Sequence, residues 1–453
     1  MVSAEAGIDA LVLAVNPLAN TRIAGLTAKE RALRVAKRVG ATRVLVVEDT
    51  TQVAGWRDGR TCPLLILSAE QLVHTPLAAP LVSAALPGDG IVAAVVPVGA
   101  LVQDLTTGAY AGAMIATGTR AAAVLAANVG GDTQLTSFVE GATEIPHGSI
   151  ARAPIRTPEE QRAAHRLLYQ ILVKPQDNAI TRYLYRPISF PLTRMLVWTP
   201  ITPNQISYVV AILVAIGLYF TAQPSHASAT LGTVIILIAS YVDCCDGEVA
   251  RVKLLSSKFG AWVDTVIDEL SSVGYTVALG WHCHLIYGPR FFGALPFDPW
   301  LLGIWISLPA FAVTIYCIYY NIIVAVGSAN SQDYVGSFEV VPGKEEGSVK
   351  LVPAAPNAPN APNAPNAPNA PNVTTRSLPG WLQWLATYAP YVVRRDFISW
   401  GAVILAALHW THGAFITLVL GAAVTGAIVA IDHIKLRSLR RAIIRRGLVI
   451  EAP

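Results

Sequence analysis

Six apolar stretches in the second part of the chain constrain its fold more than any other feature. Each has close to the roughly 20 residues that a helix needs to cross a bilayer. Only 14% of the residues are charged, against about 25% in ordinary soluble proteins, so we expect lipid to surround much of this chain. We therefore predict an α-helical polytopic membrane domain with six transmembrane helices, at about residues 205–222, 228–245, 259–280, 300–326, 397–411 and 413–432.

The basic residues indicate how these spans are oriented, because cytoplasmic loops are enriched in Lys and Arg. Six spans place the basic segment before the first span, the loop between the second and third, the segment before the fifth and the C-terminal tail on one side. The loop at 281–299 falls on the other side with one arginine, Arg290. We predict a multi-pass protein of the cytoplasmic membrane with both termini in the cytoplasm. The basic residues of the last three of these segments are Arg251, Lys253, Lys258, Arg394, Arg395, Lys435, Arg437, Arg440, Arg441, Arg445 and Arg446.

Residues 1–157 have the pattern of a soluble α/β domain. Short apolar runs at 10–15, 43–47, 64–67 and 91–96 are rich in Val, Leu and Ile, as buried parallel strands are. Thr27 and Glu30 have the spacing of a capping box, which predicts a helix that ends at Gly40. Alternation of strands and helices favours a parallel sheet covered by helices. The first residues have Glu5 and Asp9 where a signal peptide would be basic.

Three further segments complete the predicted organisation. Residues 158–204 are basic and amphipathic, which favours a helix lying in the cytoplasmic membrane interface; a solvated helix joining two domains is the alternative. Six Ala-Pro-Asn repeats at 355–372 favour an extended linker inside the membrane domain, which spans 205–435. Residues 436–453 form a basic cytoplasmic tail.

Composition excludes several other classes of function. The net charge of +4 is small for 453 residues, and no basic and aromatic patch indicates nucleic-acid binding. The five cysteines lack the spacing of a structural zinc site, and reduced thiols fit a protein that faces the cytoplasm. Residues Trp281–His284 combine two histidines with a cysteine, but a membrane-interface loop explains them better than a metal site.

Acidic residues interrupt the second and third apolar stretches. Asp243 and Asp246 are three residues apart, and Asp264 and Asp268 are four apart, so each pair shares a helix face. An aspartate at the centre of a membrane helix costs about 2.5–3.5 kcal/mol. Four of them, with Glu269 beside them, also repel one another unless cations or protons neutralise them.

These carboxylates suggest a site for divalent cations. Ion pairs with Arg251, Lys253 and Lys258 are the alternative, but three positive charges do not neutralise five acids. Carboxylates from two helices are the hard oxygen ligands that Mg²⁺ or Mn²⁺ prefers. Gly247 and Gly260 would let a ligand approach the backbone, and Arg251 offers a planar fork for phosphate. Together these features favour phosphoryl transfer, although a transporter would also place acids in the membrane.

The pattern Asp243-x-x-Asp246-Gly247-x-x-Ala250-Arg251, then eight residues, then Gly260-x-x-x-Asp264-x-x-x-Asp268 resembles the signature of the CDP-alcohol phosphotransferases. The resemblance implies a six-helix membrane fold, usually a homodimer, with two Mg²⁺ or Mn²⁺ ions. It also implies that the hydroxyl of an acceptor alcohol attacks a CDP-alcohol and that CMP leaves. By the match, the metal ligands are Asp243, Asp246, Asp264 and Asp268, with Asp268 also the general base. The expected CDP site comprises Gly247, Ala250, Arg251, Gly260, Pro203 and Asn204.

Flanking residues resemble one subgroup of this family, in which a nucleotidyltransferase-like domain precedes the membrane part. Examples are the bifunctional inositol-phosphate cytidylyltransferase and di-inositol-phosphate-phosphate synthases. The similar residues are Lys174–Asp177, Thr181, Arg182, Arg186, Thr199–Gln205 and Arg394–Phe397. Asn178 stands where the subgroup has Gly, and Tyr185 where it has Asn, so the acceptor is open: inositol phosphate, glycerol phosphate or a lipid hydroxyl.

The N-terminal domain departs further from the subgroup. The loop after its first strand, Asn16–Arg22, lacks the glycines that cradle a triphosphate. No acidic residue follows the strand at 91–96 directly, since Asp104 comes late. We predict a degenerate domain with a structural or regulatory role. The alternatives are a bifunctional enzyme that also makes its CDP-alcohol, and, from another class, a divalent-cation carrier.

Overall fold

The structure is a computed structural model. It describes residues 7–53, 55–57, 59–84, 86, 88–173, 180–293, 295–328, 333–343, 347–354 and 395–451. The Ala-Pro-Asn repeats and the segment Lys174–Asp177 lie outside these residues. The chain divides into two compact units, each built from more than one stretch of sequence. Unit 1 comprises residues 1–175, 191–201 and 247–255, and unit 2 comprises residues 176–190, 202–246 and 256–453.

Unit 1 is an α/β domain. Its strands are β1 (Ile8–Leu13), β2 (Arg22–Ile23), β3 (Leu26–Thr27), β4 (Ala41–Val47), β5 (Leu64–Ser68), β6 (Gln71–Val73), β7 (Gly90–Val95), β8 (Tyr110–Thr117), β9 (Thr143–Pro146) and β10 (Arg152–Pro154). Its helices are α1 (Ala28–Arg38), α2 (Thr75–Ser83), α3 (Gly118–Ala126), α4 (Asp132–Val139), α5 (Pro158–Tyr169) and α6, which starts in unit 2 (Arg186–Val197).

The main sheet has six strands in the order β4-β1-β5-β8-β7-β9. The predicted strands lie at β1, β4, β5 and β7, and the predicted helix is α1, which the capping box of Thr27 and Glu30 begins. The sheet is mixed and not purely parallel, because β8 runs antiparallel to both β5 and β7. Helices cover both faces, so β1 is buried along its whole length. Ala10 and Val12 enter one apolar cluster, and Leu11 and Leu13 enter the other.

Unit 2 contains the helices that could cross a membrane. They are α7 (Pro203–Thr221), α8 (His226–Val252, whose last residues belong to unit 1), α9 (Lys258–Tyr287), α10 (Pro299–Asn321), α11 (Arg395–Ala407) and α12 (Thr411–Arg445). Within the described residues, α7, α8, α10 with the turn after it, and α12 are long and apolar enough to span a bilayer. Helix α9 carries acidic residues, and the apolar part of α11 is short, at Phe397–Ala407. The described chain therefore has four candidate spans where the sequence predicts six.

Three other differences from the sequence prediction concern the segments between the spans. Residues 158–204 form no single helix, since α5 is followed by a 3₁₀ turn and an extended residue, Val173, and α6 ends at Val197. Helix α12 continues into the basic tail as far as Arg445. A small sheet that the sequence analysis missed joins this tail to the loop after α10, through β11 (Phe338–Pro342), β12 (Ser348–Pro353) and β13 (Val449–Ile450).

Candidate active site

Three predicted metal ligands come together in unit 2. One carboxylate oxygen from each of Asp243, Asp246 and Asp264 lies within 4.8 Å of the others. Among the residues that the structure describes, no other group of three or more His, Cys, Asp or Glu side chains is close enough to share an ion. Asp246 is buried, and the other two are half-buried. Three carboxylates at this distance repel one another strongly where water is scarce, so the arrangement favours a bound cation.

Asp246 is held by a residue that the sequence analysis missed. The hydroxyl of Ser207, on α7, donates a hydrogen bond of 2.6 Å to Oδ2 of Asp246. Ser207 is 4% exposed and Asp246 is 6% exposed, so the hydrogen bond joins two buried polar groups. The signal for it was the presence of a polar residue inside an apolar helix, since such residues mark functional positions in membrane proteins.

Asp268 lies one helical turn beyond Asp264 on α9 and outside the group of three. Its backbone carbonyl accepts hydrogen bonds from the hydroxyls of Ser271, at 2.7 Å, and Ser272, at 3.1 Å. Its side chain is half-buried. The roles of ligand and general base that the sequence assigns to Asp268 stay predictions.

Gly260 and Asn204, both expected at the CDP site, are neighbours in unit 2. A Cβ atom at Gly260 would lie 2.9 Å from Oδ1 of Asn204 and 3.1 Å from Oγ of Ser257. Ser257 caps α9 by accepting a 2.9 Å hydrogen bond from the Gly260 N–H. Pro203 and Asn204 are the first residues of α7, whose start is fixed by a hydrogen bond from Thr202 N–H to Gln205. Any larger residue at 260 would therefore displace one of these side chains.

The other expected CDP residues, Gly247, Ala250 and Arg251, lie on the last two turns of α8. This end of the helix belongs to unit 1. A Cβ atom at Gly247 would meet only Nη1 of Arg251, at an ordinary contact distance of 3.5 Å. Packing within the described chain therefore does not require a glycine at 247.

Among the described residues, Lys253 forms none of the ion pairs considered as an alternative to a metal site. Its Nζ donates to the carbonyls of Thr199, at 2.6 Å, and Ile201, at 3.1 Å. Burial and the positive charge of Arg34 lower the pKa of the Lys253 ammonium from its usual value. One of the three cations counted against the acids is therefore committed to backbone carbonyls.

The loop after β1, which the sequence analysis describes as lacking the glycines of a phosphate loop, forms a tight turn. Residues Pro17–Asn20 form a single 3₁₀ turn, with the Asn16 side chain accepting from Leu18 N–H. Asp104, the late acidic residue, is engaged by both terminal nitrogens of Arg152 at 2.7 Å. Burial opposes ionisation of Asp104, but Arg152 outweighs it and lowers the pKa of this carboxyl.

The segment Trp281–His284 lies near the end of α9, and Nδ1 of each of its two histidines has a polar partner. Nδ1 of His282 lies 2.7 Å from the carbonyl oxygen of Gln223, and Nδ1 of His284 lies 2.6 Å from Oδ2 of Asp298. Cys283 is buried, and the five cysteines, all of which lie within the described residues, form no disulfide. The contacts of this segment are therefore structural ones within unit 2.

Comparison with known proteins matches the part of the chain that carries the aspartates to a described family. Residues 200–343 match the family described as CDP-alcohol phosphatidyltransferase. This match contains the three clustered aspartates, Asp268 and the expected CDP residues.

The chain is also similar to curated proteins with related names. It is 35% identical over 129 residues to a bifunctional IPC transferase and DIPP synthase of Aquifex aeolicus, covering 28% of this chain and 29% of that protein. A protein of the same name from Thermococcus kodakarensis is 35% identical over 116 residues, covering 25% and 26%. An archaetidylinositol phosphate synthase of Pyrococcus horikoshii is 34% identical over 85 residues, covering 18% and 42%. The similarity thus spans less than a third of the first two relatives.

Proposed function

We propose that this chain, whose residues 200–343 form a CDP-alcohol phosphatidyltransferase domain, moves a phosphoalcohol group from a CDP-alcohol to an acceptor alcohol and releases CMP. The observation that carries the proposal is the meeting of Asp243, Asp246 and Asp264 within 4.8 Å on two largely apolar helices. Repulsion this strong within a membrane domain is tolerable when divalent cations bind, and a pyrophosphate is the natural ligand of such cations.

The donor set fits two Mg²⁺ or Mn²⁺ ions, because carboxylate oxygens suit these hard cations. Asp243, Asp246, Asp264 and Asp268 would hold them. When bound, the ions would supply positive charge to the oxygens of the transferred phosphoryl group. Ser207 orients Asp246 through the bond described above, so that the carboxylate is placed before any ion arrives.

The remaining residues have roles that follow from their chemistry. Arg251 binds the pyrophosphate of the donor through its planar guanidinium, with Gly247 and Ala250 keeping the helix face beside it open. The part of the site that binds the cytidine of the donor is lined by Gly260, Pro203 and Asn204. Asp268 accepts the proton of the acceptor hydroxyl as its oxygen attacks the β-phosphorus. The bond from that phosphorus to the oxygen shared with CMP breaks, and CMP leaves with the electron pair.

The membrane arrangement is part of the proposal. The four long apolar helices, together with α9 and α11, make six spans with the active site and both termini in the cytoplasm. Helix α9 does not have the composition of a candidate span because it carries the acidic residues to which this proposal gives catalytic roles. We keep the division of the chain into residues 1–157, 158–204, 205–435 and 436–453. We also propose a homodimer in the cytoplasmic membrane, because the family resemblance and the distribution of basic residues both favour it.

A cavity in unit 2 supports a lipid as one of the substrates. It has a volume of about 410 Å³ and lies among α8, α9, α10, α11 and α12. Its walls are mainly apolar, as at Leu237, Phe311, Leu405 and Leu418. Ser271 and Ser272, which bond to the carbonyl of Asp268, also line it. A hydrocarbon chain in this cavity would end close to the proposed base, which suits a role in phospholipid synthesis.

Unit 1 does not make the CDP-alcohol in this proposal. The 3₁₀ turn at Pro17–Asn20 occupies the place of a phosphate loop, and Arg152 engages Asp104. The bifunctional alternative is favoured by the names of the relatives from Aquifex aeolicus and Thermococcus kodakarensis. Incubation of the full chain with CTP and inositol phosphate or glycerol phosphate distinguishes the degenerate domain from the bifunctional enzyme. We expect no pyrophosphate release, and its appearance would establish the second activity.

The transfer itself is tested with purified protein in lipid vesicles. Labelled CDP-diacylglycerol and CDP-inositol are supplied in turn, with inositol phosphate, glycerol phosphate or a lipid alcohol as acceptor. We expect release of CMP that requires Mg²⁺ or Mn²⁺ and an acceptor. Movement of Mn²⁺ across the vesicles without any CMP release would instead support the cation carrier.

A further inference from the structure

The end of α8 has an unusual termination. Leu254 adopts a left-handed conformation, with φ of 55°, in a place where helices usually have glycine. Leu255 N–H bonds to the carbonyl of Ala250 at 2.9 Å, and Leu254 N–H bonds to that of Arg251 at 3.4 Å. This is the hydrogen-bond pattern of a Schellman motif, and it satisfies two of the last carbonyls of the helix. The carbonyls of Val252 and Lys253 need other donors.

Two arginines of α1 supply those donors within unit 1. Nη2 of Arg31 donates to the carbonyl of Val252 at 2.9 Å, and Nη1 of Arg34 donates to that of Lys253 at 2.7 Å. Both bring positive charge to the negative end of the helix dipole. The chain from Gly247 to Leu255 is thereby joined to the N-terminal domain.

Arg31 has little other purpose in the described part of the chain. Its side chain is fully buried, and its Nε and Nη1 have no hydrogen-bond partner there. Burial and the nearby charge of Arg34 lower the pKa of Arg31 to about 9, so it stays charged at neutral pH. A buried cation with a single hydrogen bond destabilises the fold, because its loss of hydration is poorly compensated. Methionine would fill the same space without this loss of stability.

Further contacts fix the same turn of helix. Nζ of Lys253 bonds to the carbonyls of Thr199 and Ile201. The carboxylate of Glu248, which is fully buried, accepts a 2.5 Å hydrogen bond from the Thr193 hydroxyl. Leu254 enters the apolar cluster of unit 1 that contains Val35. Buried polar contacts of this kind specify one geometry at the expense of stability.

We propose that Arg31 and Arg34 are positioning residues for the donor nucleotide. By capping α8, they hold the last turns of the helix, and with them Gly247, Ala250 and Arg251, in the conformation that receives the pyrophosphate. This inference rests on the proposed function. In this proposal the N-terminal domain is needed for the transfer reaction, although the domain itself catalyses no reaction.

Kinetics of the full chain test the proposal through Arg31→Met, Arg34→Met and Arg31→Lys. Because hydrogen bonds from charged groups are among the stronger ones, we expect each methionine variant to raise the KM for the CDP-alcohol about tenfold, with a smaller change in kcat. Arg31→Lys retains a donor for Val252 and should restore most of the affinity. The control is Arg57→Met, which removes a buried ion pair with Asp9 in the same domain and should lower the Tm without changing that KM.

A second measurement does not depend on turnover. Hydrogen–deuterium exchange of the amides of residues 249–255 should be faster in Arg31→Met than in the unaltered protein and in Arg57→Met. An unchanged KM with unchanged exchange, or an equal rise in KM in Arg57→Met, would overturn the proposal. If the unaltered protein releases no CMP, the function proposed above is wrong, and the exchange rates still decide whether Arg31 caps the helix.

Discussion

Oγ of Ser207 lies 2.6 Å from Oδ2 of Asp246, so a hydroxyl on α7 orients a carboxylate on α8. The two residues are 39 positions apart in sequence, and both are buried. A hydrogen bond to a metal-binding carboxylate fixes its orientation before the ion binds. Cation binding at the proposed site would therefore depend on a residue outside the aspartate motif.

Replacing Ser207 by alanine should weaken cation binding by about 10–100-fold, the usual effect of losing a residue that supports a metal ligand. Titration of CMP release with Mn²⁺ measures the change, and saturating Mn²⁺ should recover much of the rate. Thr230→Ala is the matched control, because this α8 hydroxyl bonds to the carbonyls of His226 and Ala406. An Mn²⁺ requirement in Ser207→Ala equal to that of the control would contradict the supporting role.

Asp268→Asn keeps the size of the side chain and removes its charge. If Asp268 is the general base, kcat should fall by about 10²–10⁴-fold, while the CDP-alcohol still binds. Single-turnover kinetics and equilibrium binding of the donor separate the two effects. Glu269→Gln is the control on the neighbouring residue and should retain turnover. Near-normal turnover in Asp268→Asn would rule out the base.

Gly247→Ala distinguishes a glycine kept for a ligand from one kept for packing. The added methyl group meets only Arg251, at 3.5 Å, and alanine favours a helix by about 1 kcal/mol over glycine. We expect an unchanged or higher Tm together with weaker binding of the CDP-alcohol. Gly88→Ala, at a glycine with nothing within 4 Å of the added atom, should change neither. A fall in Tm of Gly247→Ala would show that packing explains this glycine.

Asp264→Asn should stabilise the protein when cations are removed. Two charges within 4.8 Å of each other repel with an energy on the order of 3 kcal/mol or more at an effective dielectric constant of about 20, and the substitution removes one charge of the three. In EDTA we expect a higher Tm than that of the unaltered protein. Addition of Mn²⁺ should raise the Tm of the unaltered protein and leave that of the variant nearly constant. A lower Tm of the variant in EDTA would mean that these carboxylates stabilise the fold without ions.

His74 makes the N-terminal domain sensitive to acid. Burial, helped by the charges of Arg31 and Arg38, lowers the pKa of His74 from 6.5 to about 4. Between pH 6.5 and 4 the unfolded chain therefore binds a proton at His74 that the folded chain does not bind. The free energy of unfolding is highest above pH 6.5 and decreases as the pH falls towards 4. The loss amounts to about 3 kcal/mol over this range. Thermal unfolding at pH 7 and pH 5 should show a smaller difference in His74→Asn, and an equal difference would exclude His74 as the cause.

Local sequence signals predicted those parts of the fold that depend on local interactions. The strands of unit 1 and the capping box at Thr27 are set by residues a few positions apart, and the structure confirms them. The antiparallel strand β8 was missed, because its direction depends on β5 and β7, its neighbours in the sheet. The pairing of β13 with β12 was missed for a similar reason, since these two strands are about 100 positions apart.

The candidate site shows the same division. Helical spacing placed Asp243 and Asp246 on one face of α8, and the apolar surroundings suggested that Asp264 would join them. Spacing did not reveal the support from Ser207 or the capping of α8 by Arg31. Both contacts connect elements far apart in the chain, and Arg31 has the pattern of an ordinary helix-surface residue. Its burial becomes apparent only when the end of α8 is seen against α1.

Leu254 belongs to the apolar cluster of the N-terminal domain, yet α7 and α8 precede it in the chain. During synthesis the ribosome must therefore deliver two hydrophobic segments to the insertion machinery before the first domain receives its last interior side chain. A fragment ending at residue 175 would expose the place that Leu254 fills. The order of translation thus makes completion of a water-soluble domain wait for events in the bilayer.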